Sequence, residues 1–175
     1  SNQEKLWRGI RNGDIQVVAT DHCPFSYEKE KVPMGKDDFT KCPNGAPGVE
    51  ARMPVLFSEG VMKGRITINK FVEVTSTNPA KICGMYPKKG SIAVGSDADL
   101  VIFDKDKKVT ITKSLFHENV DYTSYEGIEL QGYPIMTIVR GKVIVKDNQF
   151  IGEEGYGQFC LLYTSPSPRD RQKSR

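Results

Sequence analysis

The chain has 175 residues, 38% of them hydrophobic, which is enough for one ordinary soluble domain with a core. Its formal net charge of +3 resides in the last fifteen residues, where Arg169, Arg171, Lys173 and Arg175 face only Asp170. The rest is neutral, so a phosphate-binding surface and a nucleic-acid partner are not expected.

No run of about 18 apolar residues suggests a membrane span, and the polar start Ser1, Asn2, Gln3, Glu4 lacks the apolar stretch of a signal peptide. The four cysteines, Cys23, Cys42, Cys83 and Cys160, form no C-x-x-C pair. Free thiols in a reducing cytoplasm are the expectation.

In chain order, Leu6, Trp7 and Ile10 fall on one side of a helix, and Asn12-Gly13 is a stop signal. Ile15 to Ala19 reads as a short buried strand that ends at Thr20-Asp21-His22. A helix, a turn and a buried strand make one step of a barrel or parallel sheet, whose chemistry sits at strand C-terminal ends. Residues 26–48 form a long polar connection of a length that is often functional. It closes on Pro43-Asn44-Gly45-Ala46-Pro47-Gly48, suited to tight turns and close backbone approach.

Met53, Leu56, Phe57, Gly60 and Val61 have helical spacing, with Pro54 in the first turn. A second helical stretch spans about Asn69 to Cys83, broken or restarted at Pro79. From Tyr86 the pattern turns to strands. Asp99 to Asp104 reads as a buried strand, Val109 to Thr112 alternates, and Ile135–Val139, Arg140-Gly141 and Lys142–Val145 read as a hairpin. A boundary is expected near Tyr86-Pro87. Residues 161–175, basic and rich in Ser and Pro, are expected to be disordered. They resemble translated sequencing-adapter DNA and are set aside as foreign, a native basic arm being the alternative.

An aspartate at a strand end, as at Asp21, can ligate a metal and take a proton from metal-bound water. Taken alone, a cap or turn former is the more ordinary role for it. His22 and Cys23 also have ligand chemistry, but neighbours on a strand point to opposite faces. Local packing or hydrogen bonding is the expected role of both.

Thr20-Asp21-His22-Cys23-Pro24-Phe25, followed by Lys41-Cys42-Pro43-Asn44-Gly45-Ala46-Pro47-Gly48-Val49-Glu50-Ala51-Arg52, resembles the last active-site strand and loop of dihydropyrimidinases and D-hydantoinases. Residues 77–85 resemble the helix ending their barrel, and 89–104 the return to their β-sandwich; Tyr125-Glu126-Gly127 and Val139-Arg140-Gly141 continue the likeness. The resemblance implies an α/β chain: the C-terminal part of a metal-dependent (β/α)8 barrel over residues 1–85, then part of a small β-sandwich over 86–160. It implies a homotetrameric, cytoplasmic parent that opens small cyclic amides or imides with two divalent metal ions, usually zinc.

Those metals are held in the family by four histidines, a carboxylated lysine and one aspartate, and a bridging hydroxide attacks the ring carbonyl. By motif position the aspartate is Asp21, metal ligand and proton relay. Asn44 matches the residue whose backbone meets the imide edge of the ring. The chain departs from the pattern in having only two histidines, His22 and His117, the latter expected to be structural. One carboxylate cannot hold two zincs, so the chain alone is expected to be silent and to bind no metal tightly.

Three other readings compete. Dihydroorotases place Ala-Pro-His after the Asp-His pair and allantoinases favour Ser-Pro, whereas Cys23-Pro24-Phe25 favours a hydantoinase-like substrate. Non-catalytic scaffold relatives have lost metal ligands, and the retained Asp21 motif argues against them. A free-standing binding domain would need a self-contained core.

Overall fold

The computed structural model describes residues 2–160. The expectation for 161–175 lies outside the described residues.

Helix α1, Asn2–Asn12, ends at Gly13, whose φ of 89° only glycine adopts without strain. Trp7 and Ile10 face the core, but Leu6 is 58% exposed, so the apolar side is narrower than its spacing predicts. The connection after Phe25 is less irregular than expected. It contains a π-helical turn, Tyr27–Lys31, helix α2, Val32–Gly35, and a 3₁₀ turn, Phe39–Lys41.

Helix α3, Arg52–Leu56, has Pro54 in its first turn as expected and runs on through a wider π turn, Phe57–Met62. Helix α4, Ile68–Val72, starts at Thr67, whose hydroxyl accepts the Lys70 N–H at 3.1 Å. It continues through the π turn Glu73–Thr77 into α5, Asn78–Ile82, where Pro79 occupies the first turn, the one place a helix tolerates it.

The predicted buried strand at Ile15–Ala19 is corrected. The segment pairs with no strand, and its residues are half-buried or exposed. A parallel strand is buried only when neighbours flank it, and here helix groups take their place. Asn78 Nδ2 donates to Gln16 O (2.9 Å), Val18 N to Val74 O (3.2 Å), and Arg52 Nη1 to Val18 O (3.0 Å).

The C-terminal half is an antiparallel meander in the order β1-β2-β3-β4: β1 Leu100–Thr110, β2 Glu129–Val139, β3 Lys142–Lys146 and β4 Gln149–Phe150. The expected hairpin is present. Arg140 (φ 45°) and Gly141 (φ 81°) form its two-residue turn, and Asp147 (φ 48°) and Asn148 (φ 62°) form the next. Paired left-handed residues match the right-handed twist of the strands. The expectation that 99–104 is buried is also corrected: Val101 and Ile102 are each 43% exposed, because β1 is an edge strand.

Two apolar clusters hold the chain together. Ile10, Leu56, Phe57, Ile66, Phe71 and Val74 form one, with Phe103 of β1 packed against it. Ala51, Ile111, Phe116 and Leu130 form the other, with Val55 packed against it, so α3 touches both. The Phe57 and Phe71 rings meet edge to face at 5.4 Å, a favourable arrangement of their quadrupoles.

Candidate active site

Asp21 follows the extended segment directly and is exposed, with a φ of 48°. Aspartate tolerates this left-handed conformation better than most residues, yet it persists only where neighbours hold it. They do so on its C-terminal side. Cys23 N donates to Ala46 O at 3.3 Å. Gly45 (φ 113°) lies so close to Cys23 that an added methyl carbon would stand 2.7 Å from Cys23 Cβ and overlap its carbonyl oxygen. The two sequence-predicted segments are thus brought together, and Asn44, also exposed, sits in the loop next to this contact.

His22 has a hydrogen-bonding role, as expected, but with a distant loop. Its Nδ1 accepts from the backbone N–H of Gly48 (3.2 Å) and of Val49 (3.3 Å). Cys23 and the other three cysteines are free, as expected.

The segment between β1 and β2 was missed as part of this neighbourhood. Glu118 Oε1 accepts from Glu50 N at 3.1 Å, and His117 Nδ1 lies 3.0 Å from Glu50 Oε2. His117, expected to be structural, reaches the loop ahead of α3. Burial, and secondarily the Glu50 charge, push the Tyr133 hydroxyl up to about 12.

Asp121 makes the densest contact. Its Oδ1 accepts Tyr27 N (2.6 Å), while Oδ2 accepts Ser26 Oγ (2.8 Å) and Glu28 N (2.9 Å). The backbone donors of Glu28 and then Tyr27 hold this carboxyl down at about 2. A depressed value means the latch contributes fully above the ordinary carboxylate range and is lost as pH falls towards about 2. In Asp121→Asn the new amide N–H faces donors, so amide exchange at Tyr27 and Glu28 should quicken several-fold at neutral pH. The unsubstituted chain should show the same loosening only between about pH 4 and pH 2; equal protection in both at pH 7 would show that the latch does not hold the turn.

A cavity of about 470 Å³ opens beside the extended segment, lined by Val18, Thr20, Pro47, Gly48, Arg52 and Tyr125 among others. Asp21 and Asn44 flank it in sequence without lining it. Among the described residues, no three His, Cys, Asp or Glu side chains are grouped to hold a metal ion.

Residues 1–144 match the model of the amidohydrolase family. The chain belongs to that family. The D-hydantoinase of Geobacillus stearothermophilus is 49% identical over 158 residues, covering 90% of this chain and 33% of that protein. Among solved structures, the D-hydantoinase of Bacillus sp. AR9 aligns with a TM-score of 0.88 at 50% identity, over 91% of this chain and 35% of that one. The dihydropyrimidinase of Brevibacillus agri NCHU1002 gives 0.89 at 47%, over 94% and 36%. This amidohydrolase chain thus spans about a third of the length of the relatives it matches. Membership implies a (β/α)8 barrel-type fold, and the family generally uses divalent metals.

Proposed function

We propose that this chain is the C-terminal third of a hydrolase that opens a ring amide of dihydropyrimidines or 5-substituted hydantoins. Water adds across the C–N bond: the carbonyl carbon gains the hydroxyl, the ring nitrogen gains a proton, and an N-carbamoyl amino acid results. The carrying observation is the aspartate held in a left-handed conformation at the end of the extended segment, with Cys23, two residues on, locked against the Pro43–Gly48 loop. The names of the relatives, D-hydantoinase and dihydropyrimidinase, support the substrate class.

In this reading residues 1–85 are barrel and 86–160 are sandwich. Asp21 is the proton-carrying carboxylate and one metal ligand, and the Asn44 backbone meets the imide edge of the ring. The parent is a cytoplasmic homotetramer that carries two zinc ions. The donor set of this chain does not fit such a pair, since Asp21 is not joined by two further ligands among the described residues. The other ligands belong to the rest of the parent. Accordingly, the chain purified alone and dialysed should contain well under one equivalent of zinc by metal analysis; a tight two-metal site would overturn this division of ligands.

The function is tested on the parent enzyme with dihydrouracil and a 5-substituted hydantoin, with and without chelator. Formation of N-carbamoyl product that the chelator abolishes is expected. A folded, metal-loaded parent that opens neither ring would sink the proposal.

A further inference from the structure

We infer that His22, backed by Glu118, is a positioning residue: its imidazole is the post to which the start of the 52–62 helix ties Asp21 and the Asn44 loop. The inference rests on the function proposed above. Asp21 holds a left-handed φ of 48°, which a non-glycine residue keeps only under constraint from its surroundings. The residue that follows it supplies that constraint.

Helix starts leave several backbone N–H groups without partners, and Ser, Thr, Asp or Asn usually serves as the cap. Here the Arg52 N–H bonds Gly48 O at 3.1 Å and Ala51 already has helical angles, so the first turn begins at Gly48, which has no side chain able to accept. The N–H groups of Gly48, Val49 and Glu50, left over at this start, are satisfied from afar. Gly48 and Val49 donate to His22 Nδ1, and Glu50 donates to Glu118 Oε1. Two distant side chains thus replace the missing local cap, and one of them adjoins the proposed catalytic aspartate.

The arrangement fixes the tautomer of the neutral ring. Nδ1 receives two N–H groups, so the neutral ring carries its proton on Nε2. Glu118 Oε1 stands 3.9 Å from the same Nδ1 with its side chain only 3% exposed, and its own bond is the one it accepts from Glu50 N–H. Two bonds, three if the Cys23–Ala46 contact is counted, hold residues 21–23 and the loop at one spacing. Misplacing a reacting group by about 1 Å costs on the order of 10²-fold in rate.

What the clamp requires is an acceptor at the Nδ1 position and not an imidazole as such. Asparagine offers an oxygen on the same branch of the side chain, and leucine offers none. In the parent enzyme, His22→Leu should lower kcat by roughly 30- to 100-fold, with secondary structure and metal content unchanged. His22→Asn should stay within about fivefold of the unsubstituted enzyme, and Glu118→Gln, which keeps an acceptor for Glu50 N–H, should exceed Glu118→Ala. Amide exchange at Gly48 and Val49 should quicken about tenfold in His22→Leu and little in His22→Asn.

If His22→Leu does not accumulate folded, His22→Gln, with its oxygen one bond further out, replaces it. Equal activity of the leucine and asparagine variants, whether both high or both lost, would overturn the assignment. Unchanged exchange at Gly48 and Val49 in His22→Leu would do the same. A parent that opens neither substrate would instead defeat the functional reading, and the exchange comparison would still decide whether the clamp exists.

Discussion

Asp21→Asn in the parent enzyme should lower kcat for ring opening by about 10²- to 10⁴-fold, the range lost when a positioned acid–base group is removed. KM should change little, because the proposed role is to move a proton and not to hold the ring. Asparagine is the informative substitution for a backbone reason. Position 21 has a φ of 48°, and asparagine, with aspartate, is among the few non-glycine residues that enter this region readily. The segment should therefore keep its shape, the contacts of Cys23 with Ala46 and Gly45 included. Asp21→Ala would add backbone strain of about 1–2 kcal/mol to the chemical loss and confuse the two. The check is steady-state kinetics beside a thermal melt and metal analysis of the same preparation. Retention of more than a tenth of the activity by a folded, metal-loaded Asp21→Asn enzyme would remove Asp21 from the proton-carrying role.

Local chemistry made much of this fold legible in the sequence. The stop at Asn12-Gly13 and the Arg140-Gly141 turn each depend on one or two residues that enter the left-handed region, and each was found where expected. The Asp147-Asn148 turn carries a similar signal and was passed over. Burial was read less well. Ile15–Ala19 and Val101–Ile102 have the composition of buried strands, but burial belongs to neighbours, and a run of valines cannot supply them. At the candidate site, Asp21 and Asn44 were legible through the motif that contains them. The contribution of His117, Glu118 and Asp121 was not. Their partners, Glu50 and Ser26 to Glu28, lie 67 to 95 residues away, a separation that no periodicity encodes.

Gly132→Ala should be among the most destabilising single substitutions in the chain, for two separable reasons. Gly132 is buried within β2 with a φ of 90°, where an L side chain is strained at a cost of about 1–2 kcal/mol. An added methyl carbon would also overlap Cδ1 and Cε1 of Phe57, a ring only 3% exposed and packed against Phe71 and Phe103. Such overpacking costs about 1–3 kcal/mol more. This is the point where the sheet meets the helices, since the neighbouring Gln131 N–H donates to Ser58 Oγ at 3.1 Å. The strain therefore cannot be relieved by a slip of β2 without breaking that bond. A combined loss of about 2–5 kcal/mol is large against a whole-domain stability of roughly 5–15 kcal/mol. Chemical unfolding measures the total, and a double-mutant cycle with Phe57→Val divides it. The smaller side chain makes room for the methyl group but leaves the backbone strain, so the double variant should be more stable than the sum of the single losses by about 1–3 kcal/mol. A Gly132→Ala chain that unfolds within about 0.5 kcal/mol of the original would mean that β2 and the helices are not packed this tightly.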